Sequence, residues 1–228
     1  MLKPGIDEFM RLAAAGDLVP VWREFLFDTD TAVTAYAKLS DAAGETGGRF
    51  GFLLESVLGG ERWGRYTFLG TAPREAWRLE QGGRISRWTP DTGWSDPVVS
   101  EDPLADFEHL LKSRRVAAVP GLPRFFGGAV GYFGYDVVRY IERLPHAPPD
   151  DRGFPEALFM LTDVVLAIDN VFGRAYAITT VDTAGGLDEA TLRSRYREAG
   201  ERLDALVATL ATRPAPRPLT LRPPDADP

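Results

Sequence analysis

The sequence predicts an α+β fold, a mainly antiparallel β-sheet or sandwich with flanking helices. Three observations carry that reading. Apolar residues recur at helical spacing near both ends and at residues 104–111, the middle of the chain changes to period two, and short strands there are joined by tight turns.

The elements follow in order. Ile6, Phe9, Met10 and Ala13 lie at helical spacing, and the apolar run LVPVWREFLF then reads as a strand interrupted early by Pro20. Asp28, Thr29 and Asp30 supply cap residues for a second helix, in which Ala32, Tyr36, Leu39 and Ala43 share a face before Gly44 ends it. From Arg49 the period is two, with Phe50, Phe52 and Leu54 on one face and Gly51, Leu53 and Glu55 on the other. Strand patterns follow at RYTFLG, EAWRLE and RISRWTP, the last two joined by a hairpin at Gln81, Gly82 and Gly83.

Asp102 before Pro103 is a cap and first-turn signature for a helix whose buried stripe is Leu104, Phe107, Leu110 and Leu111. In PRFFGGAVGYFGYD, Gly128 and Gly134 share a strand face with Phe126, Val130 and Tyr132, so a neighbouring backbone or a ligand can approach closely there. Residues 145–155 read as a loop. ALFMLTDVVLAIDN and RAYAITTV form a strand pair around Asn170 and Gly173, and a last helix runs from about Leu187 to Ala211. We expect one domain over residues 1–212, followed over 213–228 by a proline-rich linker or chain end with too little apolar surface to pack.

Composition narrows the function. The 228 residues, 44% hydrophobic and 26% charged, can bury a sizeable core. A net charge of -7 and the absence of a lysine or arginine run make nucleic acid an unexpected partner. The lack of cysteine excludes disulfides, thiolate metal sites and a cysteine nucleophile, and fits a reducing cytoplasm. An acidic pair interrupts MLKPGIDEFMRL where a signal peptide is apolar, and no run reaches the ~18 apolar residues of a membrane span, so we expect a cytoplasmic chain without membrane contact.

Candidate chemistry is sparse. His109 and His146 have no evident nucleophile, and the elbow G-x-S-x-G is missing. Glycines 127, 128, 131 and 134 fit neither the phosphate loop nor the dinucleotide fingerprint. Glu198, Glu201 and Asp204 on the last helix read as a solvated face paired with Arg193, Arg197 and Arg202, not as a magnesium site. Glu55 and Ser56 differ, because a carboxylate beside a hydroxyl at the end of an apolar strand can hold an ammonium group. With Phe52, Leu54 and the strand from Arg65 to Phe68 nearby, the elements of an amino-acid pocket are present, as an alternative to an ordinary strand end.

Four segments in order resemble one family. GDLVPVWREFLFDTDTAVTAY, FLLESVLGGERWGRYTFLG, FFGGAVGYFGYDVVRYIERLP and FMLTDVVLAIDN are similar to the amino-terminal half of anthranilate synthase component I, a chorismate-using enzyme. The resemblance implies a tryptophan feedback site lined by Leu54, Glu55 and Ser56, with Arg65, Tyr66 and Thr67 on the facing strand. Thr67 stands where the family more often has serine.

It further implies that L-tryptophan binds here, and that the catalytic residues and the magnesium carboxylates of the complete enzyme belong to a chorismate-binding half beyond these residues. This chain alone would then make no anthranilate and hold no cofactor, and its partners would be that half and a separate glutaminase component. The rival readings are the corresponding half of aminodeoxychorismate synthase component I and a stand-alone amino-acid-binding regulatory module.

Overall fold

The computed structural model describes residues 1–47, 50–55, 64–146 and 149–214. Its first half runs β1 (Leu2–Lys3), α1 (Ile6–Ala13), β2 (Leu18–Leu26), α2 (Ala32–Gly47), β3 (Gly51–Leu54), β4 (Tyr66–Thr71), β5 (Glu75–Glu80), β6 (Arg84–Thr89), β7 (Gly93–Trp94) and β8 (Val98–Val99). Then come α3 (Pro103–Lys112), β9 (Ala129–Phe133), a 3-10 helix (Tyr135–Tyr140), β10 (Ala157–Leu161), β11 (Val164–Asp169), β12 (Arg174–Asp182) and α4 (Glu189–Thr212). The strands form two antiparallel sheets, one ordered β1-β2-β12-β11-β4-β3 and the other β7-β6-β5-β10-β9, with β8 also on β6. The α+β class predicted from the sequence is therefore the fold.

The first sheet is apolar on both faces. One face carries Val19, Val21, Leu69, Leu166, Ile168, Ala175 and Ala177, which pack with Phe9 of α1, Ala35 and Leu39 of α2 and Leu192, Ala199 and Leu203 of α4. Burying residues of this size removes apolar surface from water at about 25 cal/mol per Å², which makes this cluster the main source of cohesion. On the other face Trp22, Ala167, Tyr176 and Ile178 meet Val119, Leu122 and Phe126. Nearer β3, Phe52 and Val165 pack with Met160 of the second sheet, and Phe125 joins them.

Several local expectations change. Pro20 does not interrupt β2, which runs unbroken and pairs Pro20 with Thr180. Leu18 directs both its backbone groups to residues 115–117, and Pro20, two residues on, turns its nitrogen to that same side, beyond the reach of β1. A proline costs no ladder bond there. The start of α2 is capped by Thr31, whose hydroxyl accepts from Thr34 N (3.1 Å), and not by Asp28–Asp30. Asp30 instead pairs with Lys38 (2.8 Å), which also donates to Leu210 O (2.9 Å) and ties α2 to α4. Helical geometry breaks at Gly44 (φ 67°), as its position in the sequence predicts.

ALFMLTDVVLAIDN is two strands rather than one, with β10 in the second sheet and β11 in the first. Thr162 marks the crossing, where its N–H and its hydroxyl both donate to Gly128 O (2.9 and 3.2 Å). Periodicity could not show the break, because a continuous apolar run looks the same whether one sheet or two bury it.

The second sheet packs on α3. Asp102 caps that helix through Ala105 N (2.9 Å), as predicted, and Phe107 lies 4.7 Å from Trp77 and 4.5 Å from Phe159 between ring centroids. Leu111, expected in the buried stripe, is exposed. Tyr140 of the 3-10 helix donates to Glu156 (2.6 Å) and accepts from Gly83 N (3.0 Å), which ties that helix to the β5–β6 turn. Burial, with Glu156 beside it, pushes the Tyr140 hydroxyl up to about 12. Residues 215–228 of the expected linker lie outside the described residues.

Of the close approaches expected at Gly128 and Gly134, the second is found, a Cβ at Gly134 standing 3.0 Å from Glu156 O, and the tightest falls on Gly131. Gly128 precedes β9 at φ 120° with open space beside it, whereas a Cβ at Gly131 would stand 1.9 Å from Leu158 O. We therefore predict that Gly131→Ala lowers stability by about 1 to 3 kcal/mol, since β9 must move off β10 to admit the methyl. Urea denaturation measures it, and an unchanged midpoint would show that β9 is free to shift.

Candidate ligand site

The segments singled out in the sequence meet at one end of the first sheet. β3 pairs with β4 only as far as Leu54, which faces Phe68 across the ladder and shares its side of the sheet. Glu55 follows β3 and is exposed. Ser56 lies outside the described residues. β4 leads in through Arg65, and its Tyr66 lies on the same face as Phe68, the two rings stacked with centroids 5.9 Å apart.

Arg65 is fixed by a carboxylate that sequence reasoning had not named. Its Nη2 donates to Asp169 Oδ2 (2.7 Å), and its Nε lies 3.2 Å from both carboxylate oxygens. Asp169 has no solvent exposure and also accepts from the backbone N–H groups of Val171 (3.2 Å) and Phe172 (3.3 Å). Burial pushes the Asp169 carboxyl up, but Arg65 and the two N–H groups outweigh burial and hold it below the usual carboxylate range. The hydrogen bond to Asp169 in turn raises Arg65.

The guanidinium of Arg65 lies 4.9 Å from the ring centroids of both Tyr66 and Phe172, and Arg174 lies at the same distance from Phe172 on its own account. Cation–π attraction thus adds to the ion pair in orienting both arginines. Arg174 pairs with Glu24 (2.6 Å), which Lys3 also reaches (3.0 Å). Hydrogen bonds from Arg174 and then Lys3 lower Glu24. Burial raises the hydroxyls of Tyr66 and Tyr176 nearby.

Thr67 is placed differently from its neighbours. It pairs with Ile168 and shares that residue's face, toward the helices, and it is buried. Its hydroxyl accepts from Asn170 Nδ2 (3.1 Å). Leu54, Tyr66 and Arg65 are thus brought to one strand end with Glu55 beside them, while Thr67 supports that end from behind. The sequence pattern marks Asn170 only as a turn residue. The polar Asp-Asn pair closing the buried run VVLAI was the available signal for both it and Asp169.

The remaining candidates stay apart from this end. His109 is exposed on α3, and the acidic residues of α4 are distributed among separate ion pairs, Asp204 with Arg23 (2.6 Å) and Glu201 with Arg197 (3.8 Å). Among the described residues no group of three His, Asp or Glu side chains could hold a metal ion, and no helix is long and apolar enough to cross a membrane.

No family model matches the chain. Individual relatives do. Anthranilate synthase component 1 of Pseudomonas putida is 41% identical over 214 residues, covering 92% of this chain and 40% of that protein. The Pseudomonas aeruginosa protein of the same name is 43% identical over 201 residues, 86% of this chain and 39% of its own length. A crystal structure of anthranilate synthase component I from Streptococcus pneumoniae overlays with a TM-score of 0.43 at 19% identity, over 65% of this chain and 32% of that one. The chain belongs to the anthranilate synthase component 1 family, and it spans about two fifths of the length of the curated relatives it matches.

The depressed Asp169 carboxyl has a consequence for stability. A lowered folded-state pKa contributes stability that is present above the unfolded value and is lost as pH falls through the folded one. We therefore predict that the parent loses stability on acidification below the usual carboxylate range, and that Asp169→Asn, already weaker at neutral pH, loses less over the same interval. Urea midpoints across that range decide it, and parallel curves for parent and variant would contradict the pairing.

Proposed function

We propose that this chain is the tryptophan-binding, feedback-inhibited region of an anthranilate synthase component 1. The complete form of that enzyme converts chorismate and ammonia or glutamine to anthranilate and pyruvate in tryptophan biosynthesis. The observation that carries the reading is the strand end itself, where exposed Glu55 follows Leu54, whose ladder partner Phe68 stacks with Tyr66 on the strand that Arg65 leads into. The family membership supports it.

The chemistry suits a zwitterionic aromatic amino acid. Leu54, Tyr66 and Phe68 offer apolar surface to an indole, and Glu55 offers a carboxylate to an ammonium. Arg65 is only partly covered and keeps N–H donors beyond those given to Asp169, so it can meet a ligand carboxylate. Bidentate pairing of this kind gives orientation as well as energy.

Inhibition at such a site is linkage. Tryptophan must favour a conformation of the complete synthase that binds chorismate less well, and a coupling of about 1 to 3 kcal/mol is enough for control, with the penalty reciprocal between the two ligands. Magnesium and chorismate are proposed to belong to the remaining length of the family. The glutaminase component is likewise a proposed partner of the complete synthase.

The test is tryptophan inhibition of an anthranilate synthase containing this chain, alongside calorimetry of L-tryptophan on the chain itself. Ser56→Ala should weaken tryptophan roughly threefold to tenfold, the worth of one hydrogen bond of about 0.5 to 1.5 kcal/mol. Glu55→Ala should weaken it more, because the ammonium then loses its water without gaining a partner. If both variants are inhibited as strongly as the parent, this strand end is structural and the site lies elsewhere.

A further inference from the structure

Among the described residues, the β4 entry is supported from the β11 side. The described pairing of β3 covers Phe68–Thr71, and Tyr66 and Thr67 have their described ladder partners on β11, opposite Asp169 and Ile168. Arg65 and Gly64 lie before the ladder. What holds them is the turn after β11, where Asn170 N donates to Arg65 O (2.8 Å) and Asn170 Nδ2 reaches Thr67 Oγ1 (3.1 Å) and Gly64 O (3.4 Å). Asp169 takes the Arg65 side chain, and its Oδ1 also accepts the N–H groups of Val171 and Phe172, so that one carboxylate shapes the turn and aims the guanidinium together.

We infer that Asp169 and Asn170 are positioning residues for the proposed tryptophan site, setting the distance and angle between the Arg65–Thr67 strand and Glu55 without touching the ligand. The inference rests on the tryptophan reading of that strand end. Asp169 is fully buried and cannot meet a ligand directly, and the side-chain nitrogen of Asn170 is directed at Thr67 and Gly64. Two residues on a different hairpin thus fix the described end of the strand that faces Glu55. A pair that served only to close the β11–β12 turn would not need the three bonds of Asn170 to residues 64–67 and the paired contacts of Asp169 with Arg65.

Selectivity separates positioning from plain structural support. A zwitterion must meet Arg65 and Glu55 together, so its binding depends on how the two are spaced, whereas a ligand without the carboxylate engages only Glu55 and the apolar surface and is more tolerant. The probes are L-tryptophan and tryptamine, which keeps the ring and the ammonium and lacks the carboxylate. In calorimetry on the 228-residue chain, Asn170→Ala and Asp169→Asn should each weaken L-tryptophan roughly threefold to tenfold while leaving tryptamine within about twofold, as loss of a well-placed hydrogen-bonding group would. Circular dichroism and urea midpoints establish that each variant is folded, and Asn170→Ala, an exposed site, carries the test if Asp169→Asn does not fold.

Folded variants that keep the parent's preference for tryptophan, or that weaken both ligands in parallel, overturn the positioning role and leave the tryptophan site standing. A parent chain that binds neither ligand overturns the site itself, and the positioning role with it.

Discussion

A carboxylate with no access to water is costly unless its charge is met on every side, and Asp169 at the end of β11 is such a group. Satisfying it requires Arg65 from one neighbouring strand and the N–H groups of Val171 and Phe172 from the turn into the other. That requirement sets the lateral order of the first sheet at this end. β4 must lie beside β11 for Arg65 to reach, and β12 must turn back tightly enough for two backbone donors to point inward. β3 then follows β4, and Glu55 comes to the open end. The same geometry leaves Phe172 exposed between two guanidiniums, an arrangement that keeps both arginines ordered while their partners are buried or bridged.

Away from this end the fold is governed by two-sided burial. The centre of the first sheet is covered by the helical layer on one face and by Val119, Leu122 and Phe126, with Met160 of the second sheet nearer β3, on the other, which explains the nearly unbroken burial of β11 and β12. The passage from one sheet to the other at Thr162 is short because one threonine supplies two donors to a single carbonyl, Gly128 O. Glycine at 131 lets β9 lie against β10 at a separation that a side chain would forbid.

Much of this could be read from the residues. The helices announced themselves through Phe9, Leu39 and Phe107 at helical spacing, and the β5–β6 hairpin through Gly82 and Gly83, both of which take positive φ. What escaped were features set by tertiary pairing. Pro20 looked like an interruption, because its tolerance depends on which side of β2 is unpaired. The apolar run from Ala157 to Asp169 gave no hint of a sheet change. Of the expected site residues, Leu54, Glu55, Arg65 and Tyr66 gather at one end, and the alternation of a strand already implies that Thr67 looks the other way. Asp169 and Asn170 gave only the signal of a polar pair closing an apolar run, with nothing to link them to Arg65, which is about a hundred positions away in sequence and meets them through the ladder.

The central claim is that the strand end at Leu54–Glu55 and Arg65–Thr67 receives L-tryptophan. The most direct measurement is the backbone amide spectrum of the isotopically labelled chain during titration with L-tryptophan. The account predicts saturable shifts concentrated in residues 54–56, 64–67 and the turn at 169–172, with the helical face of the first sheet little affected. Shifts confined to another surface, or a spectrum that does not respond to tryptophan at all, would contradict it.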